Sequence, residues 1–191
     1  MVFVAALIVA LVLASRSGSS SKSYPFQVGS PGPGQMAPEV KLTATDGAPF
    51  DLSTLRGRNV LLYFQEGVGC QPCWDQITDI QHHSATFSTF GVDEIVTITT
   101  NALADLRQKA TDEGVQIPVL SDSTFAVSRA YHANSYGMMG NSADGHSFVL
   151  VGPDGRIRWR ADYGGAPNYT MFVPSQRLGA DMRQGMQRSA S

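Results

Sequence analysis

The chain is short of several things, and each shortage excludes something. Two of its 191 residues are cysteine and four are histidine. A structural zinc site draws on four ligands, usually as paired clusters, and no second pair stands at suitable spacing. His82 and His83 are adjacent in a helical stretch, where neighbours point in different directions, so surface positions suit both. Basic residues number 14 against 16 acidic ones, and the net charge is −2. No basic excess points to nucleic acid. The apolar run at residues 2–14 holds 13 residues, short of the roughly 20 that span a bilayer. No internal repeat is visible.

What is there is a pair. Cys70-Gln71-Pro72-Cys73 contains both cysteines. The run 59–64 before it is apolar and β-prone, as a buried strand is. Gly67 and Gly69 allow a sharp turn from strand to helix. Pro72 suits the first helical turn, where its missing N–H costs nothing. Backbone N–H groups at a helix start stabilise a thiolate, lowering a thiol pKa of about 8.5 to roughly 3.5–7.5. A second sulfur at this spacing can attack a mixed disulfide and release the partner. Cys70 is therefore the expected nucleophile and Cys73 the expected resolving thiol. A c-type haem site needs His directly after the second cysteine, and Trp74 stands there. No cofactor and no metal are expected.

Residues 1–14 read as a signal or anchor segment. No Lys or Arg precedes the apolar run; a start upstream of Met1 would account for that. Residues 15–36, rich in Ser, Gly and Pro, read as a linker. Residues 37–187 are long enough for one domain with a core. This order suggests an exported or membrane-attached, extracytoplasmic domain.

Within the domain, residues 38–45 and 50–52 flank Asp46-Gly47 as a β-hairpin. A short helical turn ends at Gly57. A strand over 60–65 leads to a helix from about 70 to 90, with Trp74, Ile77, Ile80 and Phe87 on one face. A strand over 94–99 and a helix from 102 to about 113 follow, with Asn101 as its expected cap and Gly114 ending it. A strand over 115–120 is interrupted by Pro118. Asp122 or Ser123 is the expected cap of a helix through Tyr131. Residues 132–145 form a long loop. Strands over 147–151 and 156–161 join through Pro153-Asp154-Gly155. A final helix over 174–185 has Leu178 and Met182 on one side. Alternating strands and helices imply parallel crossovers, and the closing hairpin adds antiparallel strands.

From residue 37 to about 185 the chain resembles the thioredoxin-like superfamily. The resemblance is carried by Phe50-Asp51-Leu52-Ser53-Thr54-Leu55-Arg56-Gly57, by the strand ending at Phe64, by Cys70-Gln71-Pro72-Cys73 and by Ser147-Phe148-Val149-Leu150-Val151-Gly152-Pro153-Asp154-Gly155. The first and last pieces are similar to the peroxiredoxin branch (alkyl hydroperoxide reductase and thiol-specific antioxidant) and to extracytoplasmic thiol oxidoreductases. The cysteine spacing is that of thioredoxins. The implied fold is α/β, a mixed central sheet flanked by helices with an N-terminal hairpin. The implied activity is thiol–disulfide exchange or thiol-dependent peroxide reduction, with protein disulfides or a peroxide as substrate and a separate electron donor.

Several positions depart from the resemblance. Gly69 stands where thioredoxins carry Trp. His146 stands at their cis-proline position, and a trans bond is expected there. Peroxiredoxins set Thr or Ser three residues before the reactive cysteine and Pro seven before it; here these are Gly67 and Tyr63. Their peroxide-binding Arg is Gly145. These departures favour disulfide exchange. Around the pair, His146 is a candidate proton shuttle or thiolate partner. Glu66 is a candidate acceptor for the Cys73 proton. Tyr136, Met138 and Met139 either wall the site or pack as an apolar loop. Trp159, Asp162, Tyr163 and Tyr169 form either a partner surface or an edge of the core. A copper carrier using both cysteines with Met138, Met139 or His146 is a further reading.

Overall fold

The computed structural model describes residues 23–188. The expected signal or anchor segment, 1–14, lies outside them. Among the described residues no helix is long and apolar enough to cross a membrane.

One seven-stranded mixed sheet carries the domain, in the order β2-β1-β5-β4-β3-β6-β7. Its strands are β1 (Lys41–Ala44), β2 (Pro49–Asp51), β3 (Val60–Phe64), β4 (Glu94–Thr99), β5 (Val119–Ser121), β6 (Ser147–Val151) and β7 (Ile157–Asp162). Strand β3 is central because it is apolar on both faces. It pairs in parallel with β4 and antiparallel with β6. Leu61 and Tyr63 pack on one side with Trp74, Ile77, Ile80 and Phe87. Val60, Leu62 and Phe64 pack on the other with Val96, Ile98 and Tyr131. A strand buried on both faces reads as an unbroken apolar run, as 60–64 does.

The helices are α1 (Gln71–His82), α2 (Ser84–Thr89), α3 (Leu103–Asp112), α4 (Ala126–Ala130) and α5 (Ser175–Arg188). The single helix expected over 70–90 is two. His83 leaves the helical region at φ −111°, ψ 22°, and its Nδ1 lies 2.8 Å from the Asp79 carbonyl oxygen. The expected apolar face survives the break, since Phe87 on α2 joins the same core.

Three local expectations are corrected, two by where side chains bond and one by a proline. Asn101 does not cap α3, whose N-cap is Ala102. It turns instead toward the cysteine loop and accepts a bond from Val68 N–H at 3.0 Å. Asp122 is not the N-cap of the next helix, a place taken by Phe125 in a left-handed conformation, but its carboxylate still takes the N–H of Ser128 in that helix's first turn, and the Ser128 hydroxyl, each at 2.7 Å. The strand expected over 115–120 is only Val119–Ser121. Proline at 118 has no N–H to give a ladder.

The expected linker does not stay clear of the domain. Its described part lies along the outer edge of β7. Gln27 pairs with Asp162 and Met36 with Arg156. Between them Arg160, buried, holds the Asp162 carboxylate, and its Nη1 donates to the Pro31 carbonyl at 3.0 Å. The polar composition that reads as a linker here supplies the bonds that cover a sheet edge. The cis peptides among the described residues precede Pro31 and Pro167, so the 145–146 bond is trans as expected.

Candidate active site

Past Phe64 the chain keeps pairing for one residue, with Gln65 N–H bonded to the Ile98 carbonyl at 3.0 Å. It then turns sharply. Gly67 sits at φ +106°, and a Cβ there would overlap Asn101 Oδ1. Its N–H donates to Gln65 Oε1 at 2.6 Å, and its carbonyl accepts from Cys70 N–H and from the Trp74 indole at 3.1 Å each. Trp74, fully buried, thus ties α1 to the turn that precedes it. Gly69 has an ordinary φ and open space where a Cβ would stand, so of the two glycines only Gly67 is required by the backbone.

Cys70 is the N-cap of α1, and Pro72 lies in its first turn. Cys70 and Cys73 are joined as a disulfide with Cα atoms 5.3 Å apart. The expected pair at a helix start is therefore present. Its two members differ in access: Cys70 is 8% exposed and Cys73 is 0%. Cys70 opens onto a cavity of about 320 Å³ walled on one side by Glu66, Thr100 and Asn101 and on the other by Met139, Ser142 and Ala143. Neither wall carries Lys or Arg.

Met171 forms a small apolar cluster with the two cysteines, and no local signal in the sequence points to it. It arrives on the segment after β7, 98 positions beyond Cys73 in no local pattern. That segment is moored to α1: Val173 N–H donates to Gln76 Oε1 at 2.7 Å, and the N–H and hydroxyl of Ser175 bond the Asp79 carboxylate.

His146 is fully buried, and burial lowers its pKa to about 3. At this depth the ring is held neutral near neutral pH, so it is not the charged partner of a thiolate. Its Nδ1 lies 2.9 Å from the Tyr63 hydroxyl, which also reaches the Cys73 carbonyl at 3.5 Å. Desolvation, with Glu66 adding to it, pushes the Tyr63 pKa well up. So His146 lies beneath the pair, through Tyr63. Gly145 before it touches the Tyr136 carbonyl so closely that any Cβ would overlap it. No arginine can stand there in this packing.

Glu66 lines the cavity and accepts a bond from Met138 N–H at 2.9 Å. Met138 and Met139 are exposed, so they are not a packed loop; Met139 walls the cavity. Tyr136 is half-buried under the Arg160 guanidinium, 5.5 Å from the ring centre. Trp159, Asp162 and Tyr163 are buried and belong to the interior, whereas Tyr169 is exposed. Among the described residues no group of three or more His, Cys, Asp or Glu could hold a metal ion.

A mixed sheet with a Cys-x-x-Cys disulfide at the start of the helix after its central strand defines a thioredoxin-fold redox protein. Comparison with known proteins narrows this. The AhpC/TSA family model matches residues 33–160, and the chain belongs to that family. Two Mycobacterium tuberculosis proteins (strains CDC 1551 and H37Rv), each provisionally named a peroxiredoxin, are 32% identical over 130 residues, 65% of this chain and 81% of theirs. Among solved structures, a peroxidoxin of M. tuberculosis superposes with a TM-score of 0.65 at 18% identity, covering 80% of this chain and 96% of its own. The AhpC of Enterococcus faecalis gives 0.67 at 14% identity, covering 83% and 93%. The chain is accordingly a thiol-dependent oxidoreductase.

Proposed function

We propose that the protein exchanges disulfides through Cys70 and Cys73. The observation that carries this is the division of access: one sulfur faces a cavity, and its partner, already bonded to it, lies buried behind. In the reduced protein the Cys70 thiolate attacks one sulfur of a substrate disulfide. The substrate S–S bond breaks, a Cys70–substrate bond forms, and one substrate thiolate leaves. Cys73 thiolate then attacks Cys70 Sγ, freeing the second substrate thiol and closing the Cys70–Cys73 bond. Two electrons pass to the substrate, and an external thiol reductant restores the pair. Pro72 and Trp74 shape the helix start, and Tyr63 with His146 supports the Cys73 backbone from below. Glu66 stands at the cavity as an acceptor for the proton shed on resolution. Export of the domain is part of the proposal and rests on residues 2–14 alone.

Peroxide reduction is the second reading, favoured by membership of the AhpC/TSA family. Cys70 thiolate would take one oxygen from a hydroperoxide, giving a sulfenic acid and an alcohol; Cys73 would condense with it, releasing water and forming the same disulfide. Against it stand the cavity without a cation and the impossibility of a side chain at Gly145. The two are separated by measuring insulin-disulfide reduction and hydrogen peroxide consumption by one preparation and its Cys70→Ser variant. Exchange predicts Cys70-dependent insulin reduction. Peroxide turnover far above that of free thiol, with no insulin reduction, would replace it with the second reading.

A further inference from the structure

The cavity beside Cys70 presents an ordered set of hydrogen-bonding groups. Asn101 contributes its carboxamide with a fixed orientation. The atom facing Val68 N–H must be the oxygen, because a backbone N–H only donates, and the Thr99 hydroxyl then donates to the same atom. Its Nδ2 is therefore the atom left over, and it has no partner among the described residues. Glu66 is held the same way. Its Oε1 takes Met138 N–H, and its Oε2 has no partner among the described residues. In the same lining, next to Cys70 in the chain, the backbone N–H and C=O of Gly69 have no backbone partner among the described residues, and no side chain at 69 covers them. The cavity lining thus includes a side chain with a donor to spare, a carboxylate with an oxygen to spare and uncovered backbone, beside Cys70.

We infer that this cavity binds the main chain of a polypeptide substrate, with Asn101 Nδ2 donating to a substrate carbonyl and Glu66 Oε2 accepting a substrate N–H beside the cystine to be reduced. An extended peptide carries both groups in alternation along its main chain. A small disulfide has no such groups. The carboxylate also selects against anionic substrates, since nothing in the walls compensates its charge. This inference rests on the disulfide-exchange reading and names its substrate class.

The test compares the reduction of insulin, a polypeptide disulfide, with that of bis(2-hydroxyethyl) disulfide, small and neutral. Asn101→Asp keeps the oxygen that holds Val68, removes the donor and adds a negative charge. Glu66→Gln keeps the oxygen that holds Met138 and turns the acceptor into a donor. Either change also alters the charge beside Cys70, which acts on a charged polypeptide and not on a neutral disulfide, so the assays are run at about 1 M salt, where the screening length falls to roughly 3 Å. The readout is therefore the ratio of kcat/KM for insulin to that for the small disulfide. Each variant is expected to lower this ratio about tenfold through a raised KM for insulin, in line with one lost hydrogen bond to a charged or polar group. Should Asn101→Asp not fold, Glu66→Gln carries the test. A ratio within twofold of the starting protein in the folded variants overturns the inference and leaves disulfide exchange standing. If the unaltered protein reduces neither disulfide faster than free dithiothreitol does, disulfide exchange itself falls, and the inference with it.

Discussion

The hydroxyl of Tyr63 lies 2.9 Å from Nδ1 of His146, and neither ring has any exposure to speak of. Two facts of burial meet in that bond. The imidazole pKa drops to about 3 because desolvation penalises its cation, and the phenol is held protonated well above its ordinary range. In the unfolded chain the histidine titrates near 6.5, so between 6.5 and 3 the unfolded state binds more protons. Stability from this site is whole above about pH 6.5 and is lost as pH falls toward 3. The His146 ring resonances are expected not to titrate from pH 5 to 8 in an NMR pH series. Tyr63→Phe should cost about 1–3 kcal/mol by urea denaturation at pH 7, the penalty of a buried ring nitrogen left unpaired.

Asp144 shows the opposite sign. Burial first, and the charge of Asp122 second, raise its pKa to about 8, against the opposing bond to Ser128. The Ser128 hydroxyl lies 2.7 Å from Asp122 and 3.0 Å from Asp144, and has one proton to give. With Asp144 protonated, its own O–H donates to Ser128 and the serine donates to Asp122. The folded state binds more protons than the unfolded one between 3.8 and 8, so stability falls as pH rises through that window. Asp144→Asn should flatten this loss and be more stable than the starting protein at pH 9, by on the order of 2 kcal/mol. Denaturant midpoints at pH 6 and pH 9 measure it; equal pH slopes for the two proteins would contradict it.

Gly67 and Gly69 are two residues apart and predict different outcomes. Gly67→Ala forces a Cβ onto Asn101 Oδ1 at a φ that side chains rarely adopt. It should cost about 2–4 kcal/mol and depress insulin reduction, since the turn before Cys70 must rebuild. Gly69→Ala should stay within about 0.5 kcal/mol in thermal unfolding, because space is open there.

The unequal exposure of the two sulfurs sets an order of reaction. In the reduced protein, brief iodoacetamide treatment should label Cys70 at least about tenfold more than Cys73, read by peptide mass spectrometry. Cys73→Ser should accumulate a mixed disulfide between Cys70 and its substrate, since nothing then releases it. Preferential labelling of Cys73 would reverse the assigned roles.

The strap along β7 is held by charge. The Asp162 carboxylate takes Arg160 Nε at 2.9 Å, Arg160 Nη2 at 2.9 Å and Gly29 N–H at 2.7 Å, and both side chains are buried. Asp162→Ala leaves a buried guanidinium unpaired and should cost about 3–5 kcal/mol. Limited proteolysis should then cut near residues 28–34 faster than in the starting protein.

Where local chemistry decides, the sequence was easily read. The run 60–64 could only be a buried strand, the turn with Gly67 could only precede a helix, and Glu94–Thr99 emerged as its β-branched content suggested. Misreadings came from side chains with more than one use. Asn101 stands at a plausible cap position and instead bonds Val68, brought in by folding, whereas Asp122 reaches the first turn of its helix from three residues before the N-cap. Gln27 and Met36 lie in a stretch with a linker's composition, yet they pair with Asp162 and Arg156 at the sheet edge far along the chain.

By itself, the sequence determined the pair at a helix start, the two-sided apolar strand before it and the closing hairpin, because each is written in residues close together in the chain. Only the tertiary structure decided which sulfur meets solvent, that Met171 clusters with the pair, that His146 is neutral and that Asn101 and Glu66 face one cavity. Those outcomes depend on burial and on partners distant along the chain, and desolvation acts on where a group ends up, whatever its neighbours in sequence.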